Sequence, residues 1–130
     1  MTFYKREIER IKKERYSNEW QIANVIKTRH FIDSNLDKQV TLELLSKIRA
    51  TSKFHLLRVF KKYYGQTPKQ YLTDKRIEKA KEHLKNGNSV TDTCFDIGFE
   101  CPGSFSTLFK SRVGLTPSAF QKRATFTKSG

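Results

Sequence analysis

The chain has 130 residues, with 26 Lys and Arg against 13 Asp and Glu and a formal charge of +13, long enough for one modest core or two very small ones and charged in the sense that suits polyanions. No run reaches the roughly 18 to 20 apolar residues of a membrane span and MTFYKREIERIKKERY lacks a signal-like apolar centre, so the expectation is a soluble, cytoplasmic protein with no membrane partner. Cys94 and Cys101, with His30, His55 and His83 scattered, lack metal-ligand spacing, and no Gly-rich phosphate loop, HExxH or GxSxG is present; no metal, cofactor or catalytic residue is expected.

Residues 1–17 are charge-dense, with a broken apolar pattern in Phe3, Tyr4, Ile8 and Ile11, and read as a basic arm or an extra helix. Ser17 or Asn18 then caps a helix with Ile22, Val25, Ile26 and Ile32 at helical spacing, and Trp20 and Phe31 as its larger packing groups. Thr41 caps a short helix through Leu42, Leu44, Leu45 and Ile48. After Arg49, Ala50 and Thr51, Ser52 caps another, with Leu56, Val59, Phe60 and Tyr63 inward and Gly65 as its stop. Two short helices so closely joined are a helix-turn-helix, and 18–67 is taken as its subdomain.

Thr67 before Pro68 opens a longer helix, 68–86, whose stripe is Tyr71, Leu72, Ile77, Ala80 and Leu84; at 1.5 Å per residue it is a rigid spacer of roughly 27 Å. Ser89 and Asp92 have capping-box spacing for a helix with Val90, Cys94 and Ile97, and Gly98 permits the turn. Pro102 starts the next helix, with Phe105, Leu108 and Phe109 inward and Gly114 at its end. Thr116 and Pro117 cap a last helix with Phe120, so 87–123 forms a second helix-turn-helix subdomain and 124–130 a tail. No segment alternates with a period of two, which makes the chain all-α.

The chain also repeats itself. FKKYYGQTPKQY from Phe60 and FKSRVGLTPSAF from Phe109 lie 49 residues apart and share Phe, Lys, Gly, Thr, Pro and a closing aromatic. A fixed-period repeat is one supersecondary unit built twice.

In a helix-turn-helix the second helix enters the major groove and its N-terminal residues reach base edges. In copy one the positions free of the core are Lys53, Phe54, His55, Leu57, Arg58, Lys61 and Lys62. Arg58 suits a guanine unless Glu43 or Asp74 pairs with it, and Phe54 and Leu57 suit a thymine methyl. In copy two they are Pro102, Gly103, Ser104, Ser106, Thr107, Lys110 and Arg112, small groups without an early Arg or Lys. Copy one is therefore the better discriminator and copy two the anchor. Base reading is expected of Lys53, Phe54, Leu57, Arg58, Pro102, Gly103, Ser104, Ser106 and Thr107. Phosphate contact is expected of His55, Lys61, Lys62, Lys110 and Arg112.

From Leu45 to Phe120 these motifs resemble the DNA-binding domain of the AraC/XylS regulators, with SKFHLLRVFKKYYGQTPKQY from Ser52 most like the stand-alone MarA/SoxS/Rob type; with the helix from Trp20 the match covers about 18–123. The resemblance implies seven helices and two helix-turn-helix subdomains on a linking helix. It also implies a monomer that binds two successive major grooves of double-stranded DNA to activate transcription beside RNA polymerase. It places base readers at Phe54, Leu57 and Arg58, and at Pro102, Gly103, Ser104, Ser106 and Thr107. Many relatives have a polar reader where this chain has Leu57, and Arg where it has Thr107. Residues 1–17 are too few to enclose a ligand pocket, so no small-molecule effector is expected within the chain. The competing reading is an interaction module that recruits polymerase or a separate sensor protein and binds DNA weakly.

Overall fold

The first glycine of the chain is Gly65 and the first proline Pro68. The charged segment before Ser34 therefore contains neither of the two residues that most disfavour a helix interior. In the computed structural model, which describes residues 2–129 and the side chains of 2–125, the first helix, α1, accordingly runs unbroken over Phe3–Ser34. Ser17 and Asn18 lie inside it and cap nothing. Arg10 pairs with Glu7 at 2.7 Å and Arg15 with Glu19 at 3.6 Å, at the spacings that support a helix surface. Met1 of the expected arm and Gly130 of the expected tail lie outside the described residues.

Six further helices follow among the described residues, and none is a strand: α2 Leu42–Ile48, α3 Lys53–Tyr64, α4 Pro68–Lys85, α5 Val90–Asp96, α6 Pro102–Val113 and α7 Pro117–Ser129. Side-chain caps start α2, α3, α5 and α7 where the sequence says, and Pro102 stands at the first position of α6 with no side-chain cap before it. Thr41 accepts from the Leu44 N–H, Ser52 from His55, Ser89 from Asp92 and Thr116 from Ala119. The expected tail continues α7, since nothing in KRATFTKS breaks a helix.

The chain divides into two compact units. The first comprises the residues up to Ile32 with Thr41–Pro68, and the second Asp33–Val40 with the residues from Lys69 on. In the first, α2 packs on α3, and Val25, Ile32, Leu45, Leu56, Val59 and Phe60 are buried. Several expected packing groups stay at the surface: Trp20 is 49% exposed, and Ile22, Ile26, Leu44 and Ile48 lie near 40%. In α1 Val25, Thr28 and Ile32 at intervals of three and four take the inward stripe and leave Ile22 and Ile26 to one side of it, and in α2 Leu45 alone is buried. Tyr63 also faces outward, beneath the Lys62 ammonium at 5.3 Å from its ring. Tyr64, four residues after Phe60, is the tyrosine that packs, with ring centroids 4.9 Å apart and the Arg29 guanidinium 5.7 Å from its ring.

In the second unit Ile77, Ala80 and Leu84 of α4 share one core with Cys94, Ile97, Phe105 and Phe109, and Phe120 closes on Phe109 edge to face at 5.5 Å. The helix read as a spacer is thus also a wall of this core. Gln121 donates to the carbonyls of Leu84 and Asn88 at 3.1 and 2.6 Å and ties α7 to the end of α4. The segment 33–40, which has no sequence signature, is held by polar ties. Tyr71 donates its hydroxyl to Asp33 at 2.7 Å, and Arg76 donates to the carbonyls of Leu36 and Lys38, both at 2.7 Å.

The two copies are not quite the same length. Residues 49–52 separate α2 from α3, and 97–101 separate α5 from α6, so the second turn is one residue longer. The repeat offset is 48 from Thr41 to Ser89 and 49 from Ser52 to Cys101. Both turns need a left-handed residue just after the first helix. In copy two it is Gly98 at φ +98°, whereas copy one uses Ala50 at φ +51°.

Candidate nucleic-acid interface

The face of α3 away from its core is set by which residues the core consumes. Leu56, Val59 and Phe60 are buried, and the remaining positions are turned to solvent to different degrees. Phe54 is 86% exposed, an aromatic ring in the first turn with almost no protein around it. Arg58, one turn on, is exposed and makes no hydrogen bond or ion pair among the described residues. The carboxylates that might have held it are engaged elsewhere. Glu43 accepts from the Lys53 ammonium at 2.7 Å, and Asp74 from Arg112 at 2.5 Å. Lys61 and Lys62 are exposed in the last turn, where cations also favour the negative end of the helix.

Two members of the expected face are less open. Leu57 is half-buried, and so is His55, whose ring lies 6.3 Å from that of Trp20 in α1. Lys53, at the first position of α3, is exposed but paired. The hydrogen bond from Lys53, and then its charge, hold the Glu43 carboxyl below the usual carboxylate range.

On α6, Phe105 and Phe109 are buried, while Gly103, Ser104, Thr107 and Lys110 face solvent; Pro102 and Ser106 are half-buried. The Thr107 hydroxyl donates to the Gly103 carbonyl of its own helix at 3.0 Å. Arg112 is exposed, with its charge turned to Asp74 of α4. Cys101 stands at the N-cap with its sulfur exposed and no cap bond from the thiol. As a thiolate it faces the N–H groups of Ser104 and Gly103, which pull its pKa below the ordinary thiol value. Burial pushes the Cys94 thiol the other way.

Each unit thus brings its own expected residues onto one helix. The partners Glu43 and Asp74 were visible in the sequence only as candidates for Arg58. Helical spacing gives faces within an element, whereas these pairs join different helices. Among the described residues no group of three His, Cys, Asp or Glu converges as a metal site, and no helix is long and apolar enough to cross a membrane.

A helix-turn-helix domain family of AraC type matches residues 45–123. Among curated relatives, the bifunctional transcriptional activator/DNA repair enzyme AdaA of Bacillus subtilis is 36% identical over 93 residues, covering 71% of this chain and 44% of its own length. The XylDLEGF operon transcriptional activator 1 of Pseudomonas putida is 33% identical over 97 residues, covering 72% and 29%. The chain therefore spans less than half the length of these two relatives. Among solved structures, the C-terminal domain of AraT, a response regulator of Geobacillus stearothermophilus, superposes with a TM-score of 0.75 at 26% identity, over 77% of this chain and 84% of that one. Seven helices in two helix-turn-helix units, a family match over more than half the chain and relatives above 30% identity agree: the chain belongs to the AraC/XylS family of DNA-binding helix-turn-helix transcriptional regulators.

Proposed function

We propose that the protein is a sequence-specific activator that binds double-stranded DNA as a monomer, with α3 and α6 in successive major grooves. The observation that carries this reading is the outward face of α3. An 86% exposed phenyl ring at Phe54 and, at Arg58, a guanidinium unpaired among the described residues stand one turn apart in the first half of a helix-turn-helix second helix. Water rewards an exposed ring poorly, while a thymine methyl and a guanine edge suit these two groups. In this reading Arg58 reads guanine, Phe54 and the rim of Leu57 take the methyl, and Lys61, Lys62 and Lys110 lie along phosphates.

Copy two acts mainly as the anchor, because Gly103, Ser104 and Thr107 carry no long donor. RNA polymerase is the proposed second partner, suggested by the relatives named as transcriptional activators. The test is selection of bound duplexes from a random pool at about physiological salt. Two enriched elements one helical turn apart, sharper under copy one, are expected. Measurable binding without enrichment would overturn sequence-specific reading, and a single element would overturn bipartite reading. Arg58→Ala separates the competing interaction-module reading, which requires unchanged DNA preference in that variant.

A further inference from the structure

Lys53 occupies the first position of α3, at the positive end of a 12-residue helix. An ammonium there and the unpaired N–H groups behind it together attract any phosphate, whatever the sequence that carries it. The structure fills this position from within. The Glu43 carboxylate, in the first turn of α2, accepts from Lys53 Nζ at 2.7 Å.

Neither helix needs this pair to start, because Thr41 and Ser52 already cap α2 and α3. Both side chains stay at least half exposed, 50% and 69%, and an exposed pair of this kind adds little to stability. Its chemistry is nevertheless specific: carboxylate and phosphate compete for the same ammonium.

We infer that Glu43 is a specificity residue, an internal stand-in for phosphate that withholds Lys53 from indiscriminate backbone binding. The inference rests on the DNA-binding reading above and deepens it. A nonspecific duplex must displace Glu43 to reach Lys53, and it then faces an uncompensated carboxylate. A duplex that offers an exocyclic amino group, such as cytosine N4, gives that carboxylate a donor and releases Lys53 at lower cost. Glu43 thereby raises the contrast between right and wrong DNA instead of the affinity for either.

The experiment compares wild type, Glu43→Gln, Lys53→Gln and the double variant by fluorescence anisotropy. The probes are a random-sequence duplex and the duplex enriched by selection, between about 50 and 200 mM salt, with thermal midpoints checked first. In Glu43→Gln the slope of log affinity against log salt on the random duplex should steepen by about 0.9, the increment for one more neutralised phosphate. The preference for the selected duplex should fall by roughly 3- to 10-fold. Adding Lys53→Gln in the double variant should cancel the steepening, because the freed ammonium is what gains the phosphate. An unchanged slope and preference in folded Glu43→Gln, or a steepening that persists in the double variant, overturns the inference alone. Wild-type protein that binds neither duplex overturns the DNA reading and this inference with it.

Discussion

Gly98→Ala is expected to open the second unit, and its cost divides into two parts. The first is backbone strain: at φ +98° an added Cβ costs about 1 to 2 kcal/mol. The second is collision, since that Cβ falls 2.8 Å from the Leu36 carbonyl oxygen, 2.8 Å from Arg76 Nη2 and 3.0 Å from Asp37 Cα. Backbone atoms cannot rotate aside. Arg76 is fixed by its bonds to the Leu36 and Lys38 carbonyls, and losing one such charged hydrogen bond costs roughly 1.5 to 3 kcal/mol. The total is about 3 to 5 kcal/mol. Gly87→Ala is the control, because φ there is +92° and the new Cβ meets nothing within 4 Å, leaving strain of about 1 to 2 kcal/mol. Native-state hydrogen exchange at α5 and α6 amides reads each opening free energy directly. Equal losses in the two variants would refute the collision and, with it, the account of how residues 33–40 are held.

The same turn in copy one gives the opposite sign. Ala50→Gly relieves a left-handed alanine at φ +51° and should raise stability by about 1 kcal/mol in urea unfolding; a loss would show that the residue is not strained. Removing the α3 cap with Ser52→Ala should cost about 1 kcal/mol by the same measurement, and no change would mean that water satisfies the His55 N–H equally well. A maleimide should label Cys101 in the native protein while Cys94 reacts only on unfolding. Because the N–H groups at the start of α6 favour the thiolate, Cys101 labelling should rise with pH around a midpoint below that of the unfolded chain; a midpoint at or above it would refute the assignment.

Much of this fold is written in single residues. Thr41, Ser52, Ser89 and Thr116 start helices through their own hydroxyls, and Gly65 and Gly114 end two, so short-range chemistry alone locates α2, α3, α5, α7 and the end of α6 to within a residue or so. Buried groups such as Phe60, Phe105 and Phe109 follow from helical spacing against those starts. What escapes is whatever depends on a distant partner. Ser17 has the chemistry of a cap but stands between segments that both prefer helix, so it caps nothing. The segment 33–40 owes its place to Tyr71 and Arg76, more than 35 residues away, and no local pattern announces that. Tyr63 and Tyr64 are alike in composition and propensity, and only the four-residue step from Phe60 selects Tyr64 for packing.

The extra residue in the second turn shows how far the two copies have diverged while keeping one scaffold. Their cores remain alike, with Phe60 and Phe109 both fully buried at the same place in their helices. Their outward faces do not. α3 presents a large ring, a guanidinium unpaired among the described residues and a guarded ammonium within its first two turns, whereas α6 presents glycine and hydroxyls, one of which is spent on its own backbone. A small face lets a helix approach a groove closely but leaves few donors with the reach to tell one base pair from another. Copy two carries long cations, Lys110 and Arg112, only at the far end of α6. The arrangement suits the proposed division of labour, in which α3 would choose the site and α6 fix the register, and the Glu43 carboxylate stands beside the residues of α3 that would make the choice.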